Sequence, residues 1–452
     1  MSQPALPGRP PFVLRARLLT PLGAGGSAWE PDAALEVDPK GRIVHVGPWS
    51  TWKGKRGHAL SAYERSDAPP IVDLRPWVLL PGLVDLHIHL PQFPSAGLGA
   101  GLDLLTWLER HIFPLERGYD VAAAERLAPA IFRALARAGT TTVVAYGAIW
   151  HDSLDATFRA AEEHGIRAVI GKVMMDRVTY DDRLPRDQIL ELSLRQSADL
   201  AGRWHGRDDG RLSYAFTPRF AVSCSAEMLR ESAALARQTG AYWQTHLSED
   251  RAETERVLSL FPGATDYLDV YDRAGALGER TLFAHAIYLS EREIGRLTES
   301  GSRVAHCPAS NMFLASGVMP LARYLEAGMI VGLGSDVAAA PDPSIFTQMR
   351  TGFYAQNALK VTTGDLRPIL DPMGWLRKGS LDGARALGMD GSIGSLEAGK
   401  EADLIAVDPS LTAPLPETAE DGGPDALLSR LIFRSHPEMV RGAWVRGRLL
   451  EP

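Results

Sequence analysis

The chain has 452 residues and a formal charge of −7, from 48 basic and 55 acidic side chains, so no strong positive field is available for a nucleic-acid partner. Hydrophobic residues make up 45% and charged residues 23%, which is too apolar for a disordered chain. Two cysteines, Cys224 and Cys307, exclude a disulfide framework and a cysteine-rich zinc module.

Residues 1–75 hold short β-type runs, Phe12-Val13-Leu14 and Ile43-Val44-His45-Val46, between turn residues. The first 23 residues lack the continuous apolar stretch of a signal peptide. No apolar run approaches the ~18 residues that cross a bilayer. A cytoplasmic protein with no membrane partner is expected. From 76 to 390, eight runs rich in Val, Ile, Leu, Tyr and Phe recur: Trp77–Leu90, Thr141–Ala148, Arg167–Met175, Leu212–Pro218, Tyr242–Ser248, Thr281–Tyr288, Ser302–Cys307 and Ile330–Val337. Stretches of helical period follow most of them, such as Val121–Ala138 and Ala226–Gln238, the latter stopped at Thr239-Gly240. Strands that alternate with helices pair in parallel through right-handed crossovers, and eight such units close into an α/β barrel of the (β/α)8, TIM-like kind. A doubly wound sheet is disfavoured because no glycine-rich loop follows the first strand. From about 391 short β runs return, at Ala402–Val407 and Ala443–Arg446, and the acidic piece Pro414–Pro424 reads as a surface loop.

Such a barrel carries its chemistry at the C-terminal ends of its strands. Five of the twelve histidines sit there, His87, His89, His246, His285 and His306, and Asp336 closes the eighth run. His87 and His89, at i and i+2 on a strand, point to one face and can meet one metal. Imidazole suits Zn, Fe, Ni or Cu. A lone His-x-His is weak evidence; with His246, His285 and Asp336 at later strand ends it becomes strong. Asp85, just before the pair, is a candidate partner for a ring N–H. Glu249 lies three residues after His246. A carboxylate beside the metal but not bound to it suits proton transfer from water to a leaving amine, although alone it would read as a helix-start acid. Asp336 is a candidate ligand and base toward water; alone it would read as a helix N-cap. His285 is a ligand or a donor to the attacking oxygen, and His306 and Cys307 are expected to be structural. A two-metal barrel of this type bridges its ions through a carboxylated lysine of strand four. That run has none, the nearest being Lys172 on strand three among only seven in the chain, so one metal ion is expected.

These residues resemble the amidohydrolase superfamily, and within it the guanine deaminase family. The closer likeness rests on Pro81–His89 followed by Pro91-Gln92, on Leu104–Glu109, on Thr217-Pro218-Arg219-Phe220 with Ser223-Cys224-Ser225, on Thr245–Glu249, and on His306–Asn311. Leu86, Asp250 and Ala338-Ala339-Ala340 depart from the family pattern. The tail Gly394–Leu404 is similar to those that rejoin a small β-sandwich in the superfamily. This implies a composite domain of 1–75 plus 391–452 beside a barrel of 76–390. The resemblance further implies one Zn2+, with Fe2+ the other candidate, on His87, His89, His246 and Asp336. Glu249 would shuttle protons, and His285 would orient the attacking oxygen. Gln92, Arg219 and Phe220, with His89, His246, Glu249 and Asp336, would face the purine base. Arginine suits the adjacent O6 and N7 acceptors of guanine, Gln92 offers a donor and an acceptor, and Phe220 a stacking face. For Arg219 a rim salt bridge, and for Phe220 core packing, remain the other readings. Trp107 and Phe113 lie on or beside an expected helix, Leu102–Ile112, that lids the pocket or packs in the core. The implied activity is hydrolysis of guanine to xanthine and ammonia by a homodimer. Another amino- or halo-heterocycle (a triazine, pterin, cytosine or 8-oxoguanine) and a non-catalytic barrel scaffold are the alternatives.

Overall fold

In the computed structural model the described residues are 4–53, 69–179, 184–413 and 422–452. The expected loop Pro414–Pro424 lies outside them as far as residue 421, and Pro424 falls in the helix Gly423–Phe433. Two compact units divide the chain. One takes in residues 1–84, 133–142 and 371–452, the other 85–132 and 143–370.

The strands in chain order are β1 (Phe12–Pro21), β2 (Ser27–Val37), β3 (Ile43–Pro48), β4 (Ile71–Pro81), β5 (Leu83–His89), β6 (Thr140–Tyr146), β7 (Arg167–Gly171), β8 (Val173–Met174), β9 (Leu212–Pro218), β10 (Tyr242–Leu247), β11 (Thr281–His285), β12 (Arg303–His306), β13 (Ile330–Leu333), β14 (Leu404–Val407), β15 (Val440–Val445) and β16 (Arg448–Leu449). β1–β4 and β14–β16 make one seven-stranded sheet, ordered β16-β15-β14-β4-β1-β2-β3. Alternation along β1 explains its central place. Phe12, Leu14, Ala16 and Leu18 enter a core with Leu35, Leu79, Leu404 and Trp444. Val13, on the opposite face, packs with Ala34 and Trp52. Each such large side chain contributes about 1.5–3 kcal/mol by leaving water.

The second sheet runs β13-β12-β11-β10-β9-β7-β6-β5, with β8 beside β9. Its strands pair in parallel, for example Leu247 opposite His285 and His306 opposite Leu333. The chain just past β13 closes the ring onto β5: Asp336 N donates to His87 O at 2.7 Å and His89 N to Val337 O at 3.1 Å. This is the (β/α)8 barrel, and strands occupy all eight expected runs. Their continuous burial, seven of seven residues in β5, β6 and β9, explains why they read as unbroken apolar runs.

One run is divided. Trp77–Leu90 reads as a single strand, yet β4 ends at Pro81 and β5 begins at Leu83. A Cβ on Gly82 would stand 2.1 Å from Thr141 Oγ1, so only glycine fits there. The Gly82 N–H bonds Asp403 O at 3.0 Å. One half of the run therefore serves the first sheet and the other half the barrel. The expected helix Leu102–Ile112 also differs in form. An α-turn, Leu104–Trp107, is started by Asp103, which accepts from Thr106 N; a π-helical turn, Leu108–Ile112, leads into Phe113–Arg117. The helix Ala226–Thr239 is capped by Ser225 and stopped by Gly240 at φ 70°, as the Thr-Gly signal requires. No helix among the described residues is long and apolar enough to cross a membrane.

Candidate active site

The strand ends converge. His87 and His89 lie on β5, His246 near the end of β10, His285 at the end of β11, and Asp336 three residues past β13. All five are buried. Four backbone positions around them are held in the left-handed region by residues other than glycine: Ser248 at φ 47°, His285 at φ 70°, Ala286 at φ 50° and Asp336 at φ 53°. Such conformations cost about 1–3 kcal/mol each and gather where side-chain direction matters more than local ease. Gly334 lets the strands meet, since a Cβ there would lie 2.7 Å from His87 Cβ and 3.0 Å from Cys307 Sγ.

The donor atoms are spaced for one cation. His89 Nε2 and His246 Nε2 stand 3.3 Å apart; Asp336 Oδ1 is 3.3 Å from His87 Nε2 and 3.4 Å from His89 Nε2. Tetrahedral zinc with arms of ~2.0–2.1 Å needs donors ~3.3–3.4 Å apart. His87, His89 and His246 form one group able to hold a metal, and His87, His285 and Asp336 another. His87 Nε2 has no hydrogen-bond partner among the described residues. Imidazole and carboxylate are donors that divalent transition ions take, so the residues fit such an ion. Their protonation suits it. Burial, and then neighbouring positive charge, pushes His89 and His246 well below the ordinary imidazole value, and burial lowers His87. Burial opposes the Asp336 charge, but His87, His285 and the Ser310 hydroxyl, 2.5 Å from Oδ2, together hold its carboxyl below the usual range. His246 Nδ1 donates to Arg219 O at 2.6 Å, which leaves Nε2 as the ligating atom.

Glu249 adjoins this group without belonging to it. Its Oε2 lies 3.4 Å from His285 Nε2, and its Oε1 has no hydrogen-bond partner among the described residues. Burial first, then the Asp336 and Glu253 charges, pushes the Glu249 carboxyl well above its usual range, which favours its protonated form. The helix Arg251–Leu260 is capped by Asp250, not by Glu249. Glu253, in that capping box, accepts from Glu249 N at 2.9 Å and from Tyr267 Oη at 2.7 Å, which fixes the backbone under Glu249. His285 Nδ1 bonds Asn311 Oδ1 at 2.9 Å, directing Nε2 toward Glu249 and Asp336.

A narrow cavity opens on the cluster. It is lined by His89, His246, Glu249 and Asp336 of the cluster, by Gln92, Arg219 and Phe220, and by the apolar Leu104, Trp107, Leu108 and Leu314. Arg219 makes a salt bridge, as one reading expects, but a buried one: Nη1 is 2.5 Å from Glu116 Oε2. Phe113 underlies the guanidinium at 5.5 Å. Residues 78–450 match the family model described as "Amidohydrolase family".

The chain belongs to the amidohydrolase family.

Among relatives, this amidohydrolase is 36% identical over 421 residues to the probable guanine deaminase of Deinococcus radiodurans, covering 92% of each chain. Among solved structures, guanine deaminase from C. acetobutylicum with bound guanine in the active site superposes with a TM-score of 0.87 at 27% identity, over 97% of this chain and 99% of that one. An adenosine deaminase from Xanthomonas campestris with bound zinc gives 0.79 at 28% identity, over 98% and 93%.

Every site residue named from the sequence lies at this barrel mouth. Asp85 takes a different part from the one expected. Among the described residues it bonds no imidazole; it accepts from Ser335 N at 2.9 Å, Ser335 Oγ at 2.5 Å and His87 N at 3.2 Å, tying β5 to the segment after β13. Burial raises its carboxyl to about 6 despite those bonds. His306 and Cys307 are buried beside the site, and neither ring nitrogen of His306 has a hydrogen-bond partner among the described residues. Sequence reasoning missed Glu116 and Tyr146. Tyr146, the last residue of β6, sets its ring 4.8 Å from His87 and 4.6 Å from His89. Its place at a strand end was the available signal. For Glu116 there was none.

Proposed function

We propose that this amidohydrolase deaminates guanine to xanthine and ammonia, with one Zn2+ held by His87, His89, His246 and Asp336. One observation carries the substrate: Gln92 and Arg219 line the same cavity as the His/Asp cluster, presenting amide and guanidinium groups where a purine edge would enter. The likeness to guanine deaminases over nearly the whole chain supports it. The zinc-bound relative and the donor spacing support the metal.

A bound divalent cation supplies Lewis acidity that brings the pKa of water from 15.7 toward ~7. The chain's own groups do the rest. Arg219 and Gln92 hold the base edge, and Phe220 bounds the ring. His285, aimed by Asn311, orients the attacking water. As its oxygen adds to C2, Asp336 takes the proton that water loses and Glu249 gives its own to a ring nitrogen. The C2–N bond then breaks. The proton on Asp336 ends on the departing amine, and Glu249 regains one from the new C2 hydroxyl, which becomes the carbonyl. Leu104, Trp107 and Leu108 keep bulk water from these transfers.

The test is a panel of guanine, adenine, cytosine, 8-oxoguanine, a pterin and a triazine, with metal measured on the same sample. Xanthine and ammonia in equal amounts from guanine, with about one zinc per chain, are expected. Faster turnover of any other heterocycle, or no metal in fully active protein, would refute this reading.

A further inference from the structure

Glu116 is fully buried in the short helix Phe113–Arg117 and spends its carboxylate on two residues that line the cavity. Arg219 Nη1 lies 2.6 Å from Oε1 and 2.5 Å from Oε2, and Gln92 Nε2 donates to Oε1 at 2.7 Å. On its other end, Gln92 Oε1 accepts from Ala338 N at 3.4 Å.

From this the geometry assigns Glu116 as a positioning residue that sets which heterocycle the cavity accepts. The assignment rests on the deaminase reading above and has two physical parts. An ionised carboxylate only accepts hydrogen bonds. Facing it, the Gln92 amide must present Nε2, so its two ends, otherwise interchangeable by a half-turn, have one orientation. The donor and acceptor pattern shown to a base edge is thereby fixed from a residue that does not line the cavity. Second, Arg219 is permanently cationic and 97% buried, its side chain being 3% exposed. Paired with Glu116 it brings hydrogen-bond donors to the cavity without a net charge. The ligand class that suits this pair is a neutral heterocycle bearing a carbonyl on the recognised edge, rather than a carboxylate or phosphate. The Phe113 ring under the guanidinium keeps its plane from tilting.

Glu116→Gln is the deciding substitution because it keeps shape and removes the acceptor-only character. A glutamine at 116 can donate to Gln92 Oε1 and let that amide turn. Guanine and 2,6-diaminopurine differ on one edge, a 6-carbonyl with N1–H against a 6-amine with a bare N1, and both carry the 2-amino group. For E116Q, KM for guanine should rise at least tenfold with kcat within threefold. The kcat/KM preference for guanine over 2,6-diaminopurine should fall at least tenfold, with metal content and melting temperature unchanged. Glu116→Asp, which keeps the charge, should keep that preference within threefold. A merely structural residue would lower both substrates together. An unchanged KM and preference in E116Q, or a preference lost equally in E116D, would overturn the assignment. If E116Q does not accumulate folded, Glu116→Ala, which also removes the acceptor from Gln92, is read instead: the preference should again fall at least tenfold, and an unchanged preference would overturn the assignment. Wild-type protein inactive on guanine would instead sink the deaminase reading, which separates the two failures.

Discussion

At the scale of single residues, Glu249 is the sharpest case. Its carboxyl is buried, pushed upward and held beside His285, yet it takes no place in the ligand group. Glu249→Gln keeps size and polarity but cannot cycle a proton. Turnover of guanine should fall by ~10²–10⁴-fold, the usual worth of positioned proton transfer. Zinc content should stay at the wild-type level by elemental analysis, because the donor atoms are untouched. Normal turnover would show that the proton travels elsewhere. The residue scale also marks what a sequence conceals. Glu249 was readable because it follows His246 at a fixed short spacing. Glu116 was not: between Leu115 and Arg117 it has the look of a solvated helix acid. Its partners are 24 and 103 residues away, and only the fold brings them within hydrogen-bond reach.

At the scale of elements, the ring of strands closes through a backbone contact that tolerates no side chain at Gly334. Gly334→Ala would place a methyl 2.7 Å from His87 Cβ, closer than real Cβ atoms approach, so β5 must shift. His87 would then leave the spacing a single cation requires. Displacing a metal ligand's support costs ~10–100-fold in affinity. G334A should therefore lose zinc to a chelator at ten or more times lower concentration than wild type, read by a competing dye; equal retention would show that β5 absorbs the methyl without moving His87. Elements also explain which expectations transferred cleanly. β9 spans Leu212–Pro218 as expected because it is buried throughout and bounded by turn signals on both sides. Trp77–Leu90 did not, because its apolar character runs unbroken through the point where the chain changes sheet. The break is imposed at Gly82 by Thr141 and Asp403, far along the chain. The π-turn at Leu108–Ile112 has no sequence mark either, since an amphipathic stretch reads alike in both helical forms.

At the scale of the molecule, the donors come from positions 87 to 336, so an unfolded chain has no assembled site. Metal that binds only the folded barrel must stabilise it, by about 2.7 kcal/mol at a free concentration 100 times Kd. A chain of 452 residues shifts by only ~1 °C per kcal/mol, so zinc should raise the melting temperature of stripped protein by roughly 3 °C. The dependence on pH follows from the imidazoles. Protons compete with metal for the same nitrogens, and the competition vanishes above the pKa. Free imidazole titrates near ~6.5. His87 is held below that value, and His89 and His246 well below it, so in the folded protein these nitrogens are already neutral at pH 7. The zinc-induced shift should thus stay constant from pH 8 down to about 6.5 and shrink only below it, as the depressed values are crossed. Melting curves of stripped protein with and without zinc, taken across that range, test this. A shift already cut to about half at pH 6.5, relative to pH 8, would mean that the imidazoles titrate as they do in water. The ligand group would then not be the buried, preassembled one at this barrel mouth.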